Sequence, residues 1–151
     1  MAVVQSTYTE RQGTAVLGAI ATSDAHDIIA RTVENADGIG FGQVACQGAG
    51  DNGVVPASEA SGTPVYRGIT LRDQAQPPEA EDTYRRYDSA RVMLKGTVWV
   101  TAGANVSAGD PVYFVPATGV ITNVATDNIA IPRAIFDQSA QSGNLVRLRL
   151  Q

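Results

Sequence analysis

Hydrophobic and polar positions along this chain fall into short alternating runs broken by glycine. The clearest run is at the end, where Val146, Leu148 and Leu150 alternate with Arg147, Arg149 and Gln151. A period of two predicts a half-buried strand, with one face packed and the other toward solvent or a partner. Residues 90–124 predict four more short strands. Val92 and Leu94 alternate with Arg91, Met93 and Lys95, Gly96 marks a turn or bulge, and Val98 and Val100 alternate with Thr97, Trp99 and Thr101. Two turn signals follow, Ala108-Gly109-Asp110-Pro111 before a strand at 112–115 and Thr118-Gly119 before one at 120–124.

The N-terminal half is less regular. Residues 14–20 are apolar enough for a strand, and 24–33 (DAHDIIARTV) are expected to form one although they fit neither period cleanly. Gly38-Ile39-Gly40-Phe41-Gly42 predicts a tightly packed hinge entering a strand at 43–47. From 48 to 63 the composition turns to Gly, Asp, Asn, Ser and Ala, which predicts a surface loop. Residues 65–71 resume the strand signal, with Gly68 a candidate bulge.

The most polar stretch is 72–87 (RDQAQPPEAEDTYRRY), where Pro77-Pro78 forbids a regular helix or central strand. Loops of this length inside a domain are usually functional or disordered, so this is a first place to look for a partner site. Residues 1–13, ending in Gly13, suit an extended arm. The expected architecture is all-β, a single-domain sandwich or small barrel at 14–151 with an exposed loop at 72–87 and an N-terminal arm at 1–13.

Composition narrows the function more than the fold. At 151 residues the chain can bury a core without disulfides or metals as staples. A net charge of -4 argues against a protein that neutralises phosphates, so no nucleic-acid partner is expected. No apolar run approaches the roughly 20 residues of a membrane span, and the first residues do not read as a signal peptide, so no membrane partner is expected either. The Asn105-Val106-Ser107 sequon is then taken as incidental. Lys95 is the single lysine against ten arginines, a ratio that leans toward protein contacts because the planar guanidinium makes fixed bidentate pairs.

Reactive side chains are scarce: one His, one Cys and one Lys. Asp24-Ala25-His26-Asp27 lacks the ligand set of a zinc site and is better read as a polar turn or cap. Cys46 as a nucleophile would need His26 and a third orienting group; a buried small residue is the simpler expectation. The hinge at 38–42 lacks dinucleotide-fingerprint spacing. Lys95 bears some likeness to the modified lysine of biotinyl and lipoyl carriers, but Leu94 and Gly96 flank it where that turn has Met; a solvated edge lysine is the alternative. Trp99 suits the core better than a hot spot. Tyr84-Arg85-Arg86-Tyr87 combines residue types enriched at interfaces, against the alternative of a solvated loop base with Tyr87 folded onto the core. No cofactor, metal or catalytic residue is expected. The side chains expected to contact a partner are Val3, Val4, Tyr8 and Arg11 in the arm and Tyr84, Arg85, Arg86 and Tyr87 at the end of the loop.

One series of segments runs through nearly the whole chain: AVLGAIATSDAHDIIARTVE, IGFGQVACQG, YRGITLRD and MLKGTVWVTAGANVSAGDPVYFVPATG. Its most specific part is GITLRD at 68–73, then KGTVWV at 95–100 and AGDPVYFVPATG at 108–119. In this order they resemble the structural cement, or capsid decoration, proteins of tailed-bacteriophage heads. The resemblance implies a non-enzymatic virion protein on the outer capsid surface, made in the host cytoplasm, which rivets neighbouring major capsid protein subunits. It also implies self-association, as a homotrimer or alternatively a homodimer. It transfers no catalytic motif and no residue-level contact. The competing expectations are a tail or fibre β module and a small-ligand or carrier domain using Lys95.

Overall fold

The computed structural model describes residues 15–76 and 82–151. The expected arm, and with it Val3, Val4, Tyr8 and Arg11, lies outside the described residues, as does Pro77-Pro78. The rest is all-β. The strands are β1 (Asp27–Val33), β2 (Ile39–Gly40), β3 (Val44–Gln47), β4 (Gly53–Pro56), β5 (Tyr66–Thr70), β6 (Thr83–Tyr84), β7 (Ser89–Thr101), β8 (Pro111–Phe114), β9 (Ile121–Thr122), β10 (Ile129–Phe136) and β11 (Leu145–Leu150). A single 3-10 turn, Ala57–Glu59, is the one helical element among the described residues, and no helix is long and apolar enough to cross a membrane.

Hydrogen bonding runs β1-β4-β3-β5-β7 and returns from β7 to β1, closing a five-stranded barrel. Within it only the β1–β4 pair is parallel. From β7 the sheet continues through β11, β10 and β8 to β9. β2 and β6 form a separate two-stranded ribbon.

β7 joins the two parts. Its first half pairs with β1 and β5, and Gly96 to Thr101 pair in unbroken register with Leu150 to Leu145. Gly96 is therefore not a turn, and the two strands expected on either side of it are one strand of 13 residues. A side chain there would meet His26 Cβ at 2.8 Å, and its φ of +126° favours glycine.

Alternation also breaks within β7. Lys95 pairs with Asp27 while Met93 pairs with Ile28, so Leu94 is the extra residue of a bulge. The bulge turns Met93 into the core and Leu94 outward, the reverse of the expected grouping. A second bulge falls where expected. Ala45 faces Gly68 and Cys46 faces Tyr66, leaving Arg67 as the extra residue. A Cβ on Gly68 would lie 2.4 Å from Val92 Cγ1 and 2.6 Å from the Met93 carbonyl oxygen.

Three further expectations change. Residues 48–63 are not wholly loop, because they contain β4, with Val54 and Val55 buried. The turn before β4 wraps the Glu34 carboxylate, which accepts bonds from the amides of Ala49 at 2.6 Å and Gly50 at 2.9 Å. Residues 15–20 form no strand; they turn at Leu17-Gly18 and lie along β7, with Gly18 N donating to Trp99 O and Ala21 N to Thr97 O, both at 2.8 Å. β10, which no sequence signal marked, completes the second part of the sheet despite Pro132 and a positive φ at Arg133.

Successive residues of β3 pack into different cores. Val44 and Cys46 join the larger cluster, where Ile69, Leu71 and Met93 meet Phe114, Phe136, Val146 and Leu148 of the second part of the sheet. Ala45 joins the smaller one, with Val33, Val54, Ala90 and Val92 of the other barrel strands and Ile39, Phe41 and Tyr84 of the β2–β6 region. Barrel strands buried on both faces read as continuous apolar runs, as the fully buried starts of β3 and β4 do.

Candidate partner surface

The two tyrosines of the Tyr84-Arg85-Arg86-Tyr87 motif have opposite environments. Tyr84 is fully buried, so the expectation that it meets a partner does not fit its placement. Its ring sits edge-on to Phe41 with centroids 5.1 Å apart, and its hydroxyl donates to Leu71 O at 2.7 Å. Burial pushes this phenol above its ordinary pKa, so it stays a donor.

The chain then turns sharply. Arg85 N donates to Asp88 Oδ2 at 2.7 Å, Tyr87 N donates to Val33 O at 2.7 Å, and Tyr87 adopts φ +70°. This turn sends the Tyr87 side chain outward, 70% exposed, instead of onto the core. The Arg86 guanidinium lies 4.7 Å from its ring centroid, a cation–π contact that presents both groups together.

Arg86 and Tyr87 border a groove of about 570 Å³ whose other walls include Glu34, Val55, Glu59 and Val65. Val65, at 58%, is the next most exposed of the large apolar residues. An aromatic, an arginine and an aliphatic side chain around a concavity have the composition of a protein contact.

The described ends of the 72–87 segment are pinned to the body. Arg72 makes a bidentate pair with Asp82 at 2.7 and 2.8 Å, donates through Nε to Leu17 O at 3.2 Å, and stacks 5.2 Å from the Phe41 ring centroid. Thr83 and Tyr84 extend this anchoring as β6.

The remaining chemistry is dispersed. Cys46 is buried in the larger core, and burial pushes its thiol up to about 11, which opposes a thiolate nucleophile at neutral pH. His26 is exposed, its Nδ1 3.1 Å from Asp24 O. Lys95 is exposed opposite Asp27 in the bulged register, and Trp99 is half-buried. Among the described residues no three His, Cys, Asp or Glu side chains gather as a metal site.

Sequence comparison against family models matches residues 4–151 to the structural cement protein family (E217 gp24/Pam3 gp6). The chain belongs to this family. No curated protein matches it. Among solved structures, a chain from the capsid of Myoviridae phage XM1 has a similar fold, with a TM-score of 0.75 at 21% identity over 99% of this chain and 98% of that one. The N-terminal base of head fiber gp8.5 of bacteriophage phi29 is similar with a TM-score of 0.50 at 16% identity, over 84% of this chain and 95% of that one. For this cement protein, the family makes its role that of a phage structural protein. For Tyr87 it is the alternative, folding onto the core, that its exposure contradicts; a positive φ at a tyrosine has no sequence signature, and the following Asp88, a frequent turn former, was the available hint.

Proposed function

We propose that this cement protein binds the outer surface of a phage capsid and clamps neighbouring major capsid subunits, stabilising the head against its packaged DNA. The observation that carries the reading is the outward-turned Arg86–Tyr87 pair beside the exposed Val65, in a chain of the cement family. Contacts come from this surface and from the arm at 1–13, with Val3, Val4, Tyr8 and Arg11, while Tyr84 holds the surface from inside.

The protein acts as a homo-oligomer, a trimer in preference to a dimer, placed at a local symmetry axis. Each subunit then offers the same patch to a different capsid subunit, and linked contacts gain on the order of 10²–10⁴ in avidity over one. Binding restricted to the assembled lattice stabilises it by linkage, about 2.7 kcal/mol per site when free protein exceeds its Kd a hundredfold.

The test is occupancy of expanded heads that lack the protein. Full-length chain should saturate them, and removal of residues 1–13 should abolish decoration while leaving a folded β domain. Undiminished occupancy by the truncated chain would remove the arm from the mechanism. A tail or fibre module, the competing reading, would leave heads bare and attach to tails or fibres instead.

A further inference from the structure

Arg31 of β1 and Arg67 of β5 open onto a shallow notch of about 290 Å³ that is completed by Ile29, Tyr66 and Leu94. Both bulges of the barrel contribute to it, since Arg67 and Leu94 are the two extra residues. Without the bulges, these side chains would keep the strict alternation of their strands; the extra residues put a guanidinium and an apolar side chain on one surface.

Among the described residues the charge in this notch has no ion-pair partner, and no carboxylate lines it. Arg31 Nη1 is held by Asn52 Oδ1, which fixes the guanidinium; its Nε is buried without a hydrogen-bond partner, as are those of Arg147 and Arg149. The contrast is with β11, where Arg147 lies 3.8 Å from Asp137 and Arg149 lies 3.3 Å from Asp137 and 3.6 Å from Asp24. The chain carries 15 acids against 11 bases, yet among the described residues no acid pairs with these two arginines.

We propose that this notch is a docking site for an acidic side chain, an Asp or Glu on a surface loop of the capsid subunit beneath. The inference rests on the capsid-binding reading. Charge complementarity selects the carboxylate, because a guanidinium fork matches two carboxylate oxygens. The apolar side chains Ile29 and Leu94 shield the pair from water, which strengthens it relative to an exposed ion pair. In sequence, Val65 of the groove directly precedes Tyr66 and Arg67 of the notch.

The experiment measures binding of the full-length chain to expanded heads lacking it, for wild type, Arg67→Gln and Arg67→Glu, with thermal melting of each free protein as the folding control and light scattering for self-association. The Arg67 side chain makes no ion pair or hydrogen bond among the described residues, so both variants should melt close to wild type. Arg67→Gln should weaken binding about tenfold and Arg67→Glu more, with a shallower salt dependence for Arg67→Gln. Wild type that binds while both variants bind within twofold of it overturns the notch and leaves the capsid reading standing. Wild type that does not bind overturns both. Loss of self-association in Arg67→Glu with unchanged head affinity per oligomer assigns the carboxylate to a second copy and overturns the capsid assignment.

Discussion

The β11 arginines and the barrel arginines sit in one continuous sheet and are used differently. Arg147 and Arg149 project from a strand in unbroken register with β7 and share Asp137. Arg31 and Arg67 belong to strands whose pairing with their neighbours is interrupted, and they face no acid among the described residues. The β11 arginines thus share an acid of their own chain, whereas the barrel arginines stay at the surface with Leu94, Val65 and Tyr87.

The largest loss of stability is expected in the shared core. Leu148 of β11, fully buried, should cost about 2–5 kcal/mol on change to Ala, read from denaturant midpoints. Leu94→Ala, at an outward bulge, should stay within about 1 kcal/mol while weakening attachment to heads. Equal losses would mean that the bulge is packed as tightly as the core.

Next in size is Gly68→Ala. Its Cβ would collide with Val92 Cγ1 and the Met93 carbonyl at φ +145°, so a loss of about 1–3 kcal/mol is expected from the same denaturation series. An unchanged midpoint would show that the bulge can relax.

The two tyrosines sharpen the comparison within one motif. Tyr84→Phe removes a buried donor and leaves the Leu71 carbonyl oxygen without it, for an expected cost of about 1–3 kcal/mol. Tyr87→Ala should change stability by no more than about 0.5 kcal/mol and should lower head occupancy. The reverse ranking would contradict the roles assigned to them.

Asp137→Asn should have the smallest effect, about 0–1 kcal/mol, because the pairs it makes are partly solvated. A separate alkaline signature belongs to the larger core. Cys46 titrates at about 11 in the folded protein, above the ordinary thiol, and burial also raises the Tyr66 phenol. Below the unfolded pKa values both states hold these protons and neither group affects stability. As pH rises past about 8.5, the unfolded thiol ionises first, so stability should fall toward pH 11, and less steeply in Cys46→Ala. Identical pH profiles for the two proteins would show that the thiol is not buried as described.

How much of this was legible in the sequence follows from burial geometry. β11 was fully legible because one face is buried and the other is not, giving strict alternation. β4 was not, because Gly53-Val54-Val55 is too short for periodicity and lies among turn residues. β10 escaped because Pro132 and Arg133 interrupt it. Gly68 announced its bulge by being glycine within a strand signal, whereas the bulge of β7 falls at Leu94, two residues before the Gly96 that marked a turn or bulge. For the surface, the motif at 84–87 pointed to the right turn but could not tell which tyrosine faces outward, since that depends on the Tyr87 N–H reaching Val33 O from a distant strand. The notch was illegible: Arg31 and Arg67 are 36 positions apart and meet only through barrel closure.

The central claim is that this all-β body stabilises a phage head by holding its subunits together. Its most direct test is the temperature at which expanded heads lose integrity, with and without saturating full-length protein. The account predicts saturable binding and a higher disruption temperature on decoration. Binding without any rise, or no binding to the assembled lattice, would contradict it.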